Sequence, residues 1–516
     1  MSEDTVLLEM KDVWKVYPNG VVANKGINFS VRKGEIHALL GENGAGKSTL
    51  MKMLFGFELP TKGEILYEGK VVNISSPHKA IELGIGMVHQ HFMLVPSLTV
   101  AENVVLGMEP IKGITINIDK AVEMVAEASE NYGLSVPVTK KVKDISVGMK
   151  QRVEIIKTLI RGADLIILDE PTAVLTPQET VELFVALKSL VSKGKTVIFI
   201  THKLNEVKEI ADRITVLRRG TVIGSAEVKD ITEKDMSRMM VGRDVDLEIE
   251  KEKANPQESL LEVENLFFTR ADGVQAVKNV SFTVHKGEIL GVAGVEGNGQ
   301  NETVQMITGI LAPDSGSITK EGTRINGKSP GFVRKLGMSH IPADRMTRGI
   351  AEDATIEENI ISDRFNSKEY SSKGVIKYKK TLELTKKLIE DFDIRTDGPK
   401  TSVRMLSGGN IQKVVVAREF TSDANVIIAD QPTRGIDIAA ADFIRRRLVE
   451  ERDKNRGVLL ISADLTELLE TSDRIVVMHE GEIVANFTDI DNIDERVLGE
   501  YMLGIKKMTV EEMGDI

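Results

Sequence analysis

The chain has no cysteine among its 516 residues. That excludes disulfides, a thiolate nucleophile and cysteine-ligated zinc, and it agrees with a reducing compartment. Long apolar runs are also missing: no stretch of about 18 consecutive apolar residues occurs, so no segment reads as a membrane-spanning helix. The opening MSEDTVLLEM is acidic and lacks a basic region ahead of an apolar core, so no secretion signal is read there. Positive charge is short as well. With 67 Lys and Arg against 78 Asp and Glu, the formal charge is −11, which argues against a dedicated nucleic-acid binder. What remains, 41% hydrophobic and 28% charged residues, is ordinary globular composition in a chain long enough for two or three domains.

An internal repeat organises the sequence. LLEMKDVWKVYPNGVVANKGINFSVRKGEIHALLGENGAGKS, from Leu7, aligns without a gap to LLEVENLFFTRADGVQAVKNVSFTVHKGEILGVAGVEGNGQN, from Leu260. The spacing, 253 residues from Gly41 to Gly294, holds from Pro60 to Pro313 and from Leu83 to Leu336. By ADRITVL and SDRIVVM it has grown to 261, from Asp212 to Asp473, so the copies differ by a few insertions. Two copies of one domain are expected, at 1–241 and 258–505. The charged, proline-containing stretch 242–257 reads as an exposed linker, and 506–516 as a charged, loosely held tail.

GENGAGKST, residues 41–49, fits the pattern G-x-x-x-x-G-K-[ST] between the strand-like EIHALL and the helix-like TLMKMLFG. Gly41, Glu42, Asn43, Gly44, Ala45 and Gly46 would turn backbone N–H groups toward phosphate oxygens, with Lys47 on the β- and γ-phosphates. Ser48 would offer a hydroxyl to Mg²⁺, and Thr49 completes the motif, so ATP and Mg²⁺ are the expected ligands. DLIILDEP reads as a buried strand ending in two carboxylates. Neighbours on a strand point to opposite sides, so Asp169 is assigned to the metal shell and Glu170 to polarising the attacking water. A further apolar strand, TVIFITH, places His202 at its C-terminal end, where open α/β sheets bind ligands.

With these residues in order, both halves resemble nucleotide-binding domains of the ATP-binding cassette family, over roughly residues 5–240 and 258–505. The resemblance implies an α/β fold of two tandem P-loop NTPase domains. Each would have a RecA-like core, an N-terminal β region, expected as mixed sheet, and a helical subdomain ahead of the signature. AVEMVAEASENYGL and TLELTKKLIEDFDI carry helix-like apolar spacing there. It also implies an adenine-stacking aromatic at Tyr17, a glutamine loop at Gln90 serving catalysis and metal, and a switch histidine at His202. Signature segments fall at ISVGMKQR, with Ser146 and Gly148, and at LSGGNIQK, with Ser407, Gly408 and Gly409.

The copies differ where the chemistry sits. Under the repeat, Tyr17 becomes Arg270, Lys47 becomes Gln300, Ser48 becomes Asn301 and Gln90 becomes Ala343. Glu170 becomes Gln431 and His202 becomes Ala463, while Gly294, Gly299 and the metal-shell carboxylate Asp430 persist. The signatures run the other way, since the first has Val147 and Met149 where glycine and a polar residue are usual. In the family two cassettes bind ATP head-to-tail, each loop facing the other's signature. The expectation is an intramolecular pair with one hydrolytic and one degenerate site, the latter from Arg270, Gln300, Asn301, Asp430, Gln431, Ser146 and Gly148. Weak nucleotide binding there is compatible with its remaining glycine-lined amides and with Arg270 stacking on a base.

Tandem cassettes without membrane spans resemble importer ATPases, cytosolic translation factors and DNA-repair ATPases. A short acidic linker and Gln431 disfavour the second, and the lack of cysteines and sustained heptads the third. Within importers, GMVHQHFMLVPSLTVAENVVLG and MLSGGNIQKVVVAREF resemble the nucleoside branch. The sugar branch more often has LSVGQ and PEDR where this chain has Met149 and PADR. The resemblance implies two membrane permease subunits, expected to be unequal because the cassettes are, with coupling helices in clefts near Gln90 and Ala343. It further implies an extracellular substrate-binding lipoprotein, no nucleic-acid partner, and a peripheral location on the cytoplasmic face of the membrane. Simple sugars such as ribose or galactose are the alternative cargo.

Overall fold

A computed structural model describes residues 5–18, 20–90, 92–173, 175–242, 249 and 251–514. The chain divides into two compact units, 1–245 and 246–516. In the first, a six-stranded sheet has the order Thr221–Glu227, Arg213–Arg218, Ile36–Leu40, Thr196–Thr201, Leu165–Asp169, Ile85–Val88. Its pairings are parallel except at the Thr221–Glu227 edge. Strands covered on both faces read as unbroken apolar runs, and IHALL and TVIFIT are buried at every residue. A four-stranded sheet, Val22–Arg32, Val6–Val16, Lys62–Tyr67, Lys70–Val72, lies beside it in sequence and is antiparallel throughout, not mixed as expected.

The second unit repeats the plan. Its large sheet runs Met338–Ile341, Val426–Asp430, Gly457–Ile461, Glu288–Ala293, Arg474–His479, Glu482–Phe487, and its small one is again antiparallel. Both units carry a helical region ahead of the signature. In Ile118–Tyr132 the buried Ala121, Val125 and Ala128 recur at i, i+4 and i+7, one stripe of an amphipathic helix, and Gly133 at φ 68° ends it. In Tyr378–Asp391 the same stripe is Thr381, Thr385 and Leu388. The first stripe packs on the helices Val100–Val105 and Val147–Ile160, and the second on Ile356–Ile361, where Thr381 Oγ1 donates to Glu357 Oε1 (2.7 Å). Fully burying a side chain such as Val125 contributes about 1.5–3 kcal/mol, so the helix is held by tertiary packing more than by propensity.

Part of the expected linker, 243–248 and 250, and the residues 1–4 and 515–516, lie outside the described residues. The described remainder of the linker is tied to the second unit. Arg452 Nη2 donates to Glu252 O (3.1 Å), Lys251 Nζ donates to Ser472 O, and Gln257 N donates to Lys286 O (2.9 Å). The tail is docked, against the expectation of a loose one. Met508 N donates to Val484 O (2.9 Å), Asn486 Nδ2 to Met513 O (2.8 Å), and a Thr509–Glu512 capping box starts a short helix, Val510–Met513. Charge alone had hidden the two methionines that anchor it. Among the described residues no helix is long and apolar enough to cross a membrane.

Candidate functional site

In the first unit the strand Ile36–Leu40 runs into the glycine loop, which opens the helix Lys47–Leu54. Gly46 has φ 101°, and a Cβ there would stand 2.5 Å from Ala23 O, so only glycine fits. Lys47 folds back into its own loop, donating to Gly41 O (2.5 Å) and Glu42 O (3.1 Å), and is 5% exposed. Burial pulls its ammonium below the ordinary lysine range, against the opposing charges of Glu170, Asp169 and Glu42.

The two carboxylates diverge because the backbone turns between them. Asp169 ends its strand, whereas Glu170 adopts φ 46°, a left-handed conformation unusual for a glutamate, with its N–H on Ile200 O (3.0 Å). Burial followed by the neighbouring Glu170 charge lifts the Asp169 carboxyl above the usual range, against Lys47 and the nearby Ser48 hydroxyl. Glu170 Oε2 accepts from Gln90 Nε2 (3.0 Å), and Glu170 Oε1 meets His202 Nδ1 (3.1 Å). Burial opposes ionisation of Glu170, but His202 and Lys47 outweigh it and hold the carboxyl below the usual glutamate range.

Lys47, Ser48, Gln90, Asp169, Glu170 and His202, dispersed between positions 47 and 202, are thus brought to one end of one sheet. Tyr17 stands apart from that network. It occupies the turn before the strand Val22–Arg32, donates its hydroxyl to Glu58 (2.9 Å), and has Lys15 Nζ 5.4 Å from its ring centre. Among the described residues no cluster of three or more His, Asp or Glu could hold a metal by itself. The hydroxyl of Ser48, the carboxylate of Asp169 and the amide of Gln90 are the hard oxygen donors that Mg²⁺ takes alongside phosphate oxygens and water.

The second unit keeps the geometry and changes the groups. Gly299 has φ 98° and starts the helix Gln300–Ile307. Gln300, buried, donates Nε2 to Val295 O (3.3 Å), the repeat counterpart of Glu42 O, so a neutral amide copies the folded-back lysine. Asn301 accepts from Gln305 Nε2 (2.8 Å). Arg270 is held in an ion pair, its Nε and Nη2 gripping Glu302 Oε1 at 2.7 and 2.6 Å. Gln431 repeats the left-handed turn (φ 50°) but accepts from the backbone N–H of Ala463 (3.1 Å), where Glu170 has a histidine. With no lysine nearby, burial pushes Asp430 up to about 6, against the Ala343 N–H and the charges of Arg434 and Arg348.

Each signature serine caps a long helix: Ser146 starts Val147–Ile160 and Ser407 starts Gly408–Phe420. Glu179 was not foreseen at the first. Its Oε1 accepts from Gly148 N (3.2 Å) and Ser146 Oγ (3.4 Å), and a Cβ on Gly148 would lie 2.4 Å from that oxygen. The signal available in sequence was the T-x-x-E capping box Thr176–Glu179, which says nothing of a partner 31 residues away. Arg345 of PADR was also missed. It donates to Arg434 O (2.7 Å) and Gly435 O (3.2 Å), bracing the segment after Gln431.

Beside Gln90 lies an open cleft of about 170 Å³ with an apolar floor, lined among others by Phe55, Ile81, Met87, His89 and Met93, with Glu154, Lys157 and Arg161 at its charged side. The same place in the second unit is ionic. Repeat counterparts of Ile81 and Thr158 are Arg334 and Glu419, which pair at 2.9 Å, and Glu419 also meets Arg418 at 2.8 Å.

Two RecA-like sheets with phosphate-loop helices at their strand ends define tandem P-loop nucleotide-binding domains. Residues 24–173 and 277–434 match the ABC transporter family, and the chain belongs to that family as an ATPase. It is 46% identical over 504 residues, 98% of this chain and 99% of the relative, to the nucleoside import ATP-binding protein NupA of Lactococcus lactis. It is also 46% identical over 498 residues (96% and 97%) to the guanosine import ATP-binding protein NupO of Bacillus subtilis. Against the ribose import ATP-binding protein RbsA of Caldanaerobacter subterraneus it is 37% identical over 494 residues (95% and 98%). The resemblance to the nucleoside branch read from the sequence is borne out. The fold matches a solved archaeal ribosome recycling factor, aABCE1 in complex with stalk protein aP1, with TM-score 0.59 and 20% identity over 92% of this chain and 90% of that one.

Proposed function

We propose that this chain is the ATP-hydrolysing subunit of an importer for nucleosides, with one hydrolytic and one degenerate nucleotide site. The observation that carries the single hydrolytic site is the contrast between Glu170, held ionised between Gln90 and His202, and Gln431, held by a backbone amide. The cargo class rests on the 46% identity to nucleoside import proteins against 37% to a ribose import protein.

On this reading the amides of residues 41–49 cradle the ATP phosphates, and Lys47 exchanges the carbonyls of Gly41 and Glu42 for the β- and γ-phosphates. Ser48, Asp169 and Gln90 would hold Mg²⁺, which would supply charge neutralisation on the phosphates. Glu170 accepts the proton of the attacking water, and His202 fixes the carboxylate's orientation and keeps it charged. The cassettes, 1–241 and 258–505 joined by 242–257, pair head-to-tail. Ser407, Gly408 and Gly409 then complete the first loop, while Ser146 and Gly148 face the second. Closure on ATP and release after hydrolysis drive alternating access in two membrane subunits, fed outside by a binding lipoprotein, with this chain peripheral on the cytoplasmic face.

The unlike surroundings, a cleft with an apolar floor beside Gln90 and an ionic cluster of Arg334, Arg418 and Glu419 at the corresponding positions, support unequal membrane subunits. A second reading, import of a simple sugar, is favoured by 41% identity over 520 residues to a glucose import ATP-binding protein of Haloferax volcanii. Uptake of labelled nucleosides and of ribose and glucose, in cells with and without this gene, separates the two. Loss of nucleoside uptake alone is expected; loss of sugar uptake with nucleosides unchanged would reverse the assignment.

A further inference from the structure

Each unit has to join three pieces: the segment after its glutamine-loop position, the turn after its second carboxylate position, and the helix that begins at its signature. In the first unit the segment reaches the signature helix through Met93, whose N–H goes to Glu154 Oε1 (2.6 Å) and whose carbonyl accepts from Lys157 Nζ (3.2 Å). It reaches the core through Gln90, which donates to Glu170 Oε2 (3.0 Å). Both partners of that second joint are assigned to nucleotide chemistry, so ATP, metal and the attacking water compete for it. Among the described residues no hydrogen bond joins 92–95 to 171–173, and Gln151 Nε2, buried on the signature helix, has no partner.

The second unit makes the joint differently. Ala343 has no side chain to span the gap, but two residues on, Arg345 stands where the first unit has Phe92. Its Nη1 donates to Arg434 O (2.7 Å) and its Nη2 to Gly435 O (3.2 Å), adjacent carbonyls of the turn after Gln431. A planar guanidinium fork holds two such acceptors at once, with less ordering cost per bond than a lysine would need. Asp344 fixes the backbone around it, accepting at Oδ1 from Met346 N (3.0 Å) and Thr347 N (3.1 Å). At the other end of the helical turn Arg345–Gly349, Arg418 Nη2 of the signature helix donates to Gly349 O (2.8 Å). Gln412 Nε2, the repeat counterpart of Gln151, donates to Pro432 O (2.7 Å), and a Cβ on Gly408 would stand 3.0 Å from Arg345 Nη2. All four acceptors on the turns are backbone carbonyls, so these bonds do not depend on an occupied nucleotide site. The carboxylate beside each signature, Glu179 at Gly148 and Asp437 at Gly409, is common to both units and does not distinguish them.

We infer that Arg345 is a positioning residue that couples the core of the second unit to the segment beside Ala343, doing through two backbone carbonyls what Gln90 does through Glu170 in the first unit. This rests on the reading that a membrane subunit docks beside Ala343, and it names the side chain that carries motion there. Movement of the turn after Gln431 is passed to the docking segment directly, whatever the degenerate loop holds. The loss of glutamine at position 343 is offset in this way, and the second docking segment follows its core as one rigid piece.

The test uses the full chain with its membrane subunits in proteoliposomes and reads labelled nucleoside imported per ATP hydrolysed. Arg345→Phe, which introduces the side chain the first unit carries at this position, removes both donors. Uptake per ATP should fall at least about fivefold while the KM for ATP stays within about threefold. Hydrogen exchange in peptides covering 343–349 and 431–437 should quicken at least about tenfold, with 165–173 unchanged. Arg345→Lys, which keeps the charge without the fork, should lie between wild type and Arg345→Phe in both measurements. Uptake per ATP equal to wild type would overturn the proposal even if exchange quickens, because the joint would then be structural only; unaltered exchange would overturn it as well. Docking is checked separately. The chain has no cysteine, so Met346→Cys supplies a single thiol for cross-linking, at a residue 38% exposed. Failure to cross-link to either membrane subunit would defeat the docking reading, whatever the Arg345 variants do.

Discussion

Replacing Glu170 by Gln changes one oxygen to an NH₂ in a group that otherwise keeps its place. The left-handed turn at φ 46° and the N–H bond to Ile200 O are backbone features and survive, so the variant should fold and bind ATP as before. What it loses is the acceptor for the water's proton, together with the charge that His202 faces at 3.1 Å. A positioned general base contributes about 10²–10⁴ in rate, so the barrier should rise by roughly 3–5 kcal/mol. The second unit already contains this substitution at Gln431, and there the amide is turned to Ala463 N–H. Steady-state phosphate release by the reconstituted complex, with ATP affinity measured in parallel, gives the result. A fall of at least a hundredfold with affinity within about threefold is expected. An activity above about a third of wild type would refute the assignment of Glu170 as base. The wild-type enzyme should also keep its rate on mild acidification, because His202 and Lys47 hold Glu170 below the ordinary glutamate range. Protonation of the base then begins only at lower pH than for a free carboxylate.

Two further outcomes follow from the second unit. Asp430 is raised from 3.8 to about 6, so the folded state binds its proton more tightly than the unfolded chain does. Its contribution is favourable below the unfolded value and is lost as pH rises from about 4 through about 6, by up to about 3 kcal/mol. Asp430→Asn should therefore remove a decline in Tm over that window relative to wild type, read by differential scanning calorimetry. Glu419 is fully buried between Arg334 and Arg418, and removing one partner of a buried ionic cluster typically costs about 3–5 kcal/mol. Glu419→Ala should lower the urea midpoint of the second unit accordingly, whereas Thr158→Ala, at the repeat counterpart, should cost under about 1.5 kcal/mol.

The family, the repeat and the strand ends were legible because they rest on local patterns. A glycine loop between a strand and a helix, or an apolar run ending in Asp169 and Glu170, needs no knowledge of distant residues. The convergence of Gln90 and His202 on Glu170 was carried by resemblance, since nothing in their spacing places them together. Glu179 on Gly148, Arg270 on Glu302 and Arg345 on Gly435 were invisible, being side-chain contacts with groups far apart in sequence. A capping box, an arginine and a glutamate each have an ordinary local explanation, and only the fold reveals the second partner. The tail misled for the opposite reason: its charges suggested solvent, while Met508 and Met513 carry backbone bonds to the neighbouring strand.

The central claim, one hydrolytic site in the first loop, is tested most directly by phosphate release from the full complex carrying either Lys47→Ala or Gln300→Ala. Lys47→Ala should abolish hydrolysis to within a hundredth of wild type, and Gln300→Ala, whose amide only folds back on Val295 O, should retain most of it. Substantial hydrolysis without Lys47, or its loss without Gln300, would contradict the account.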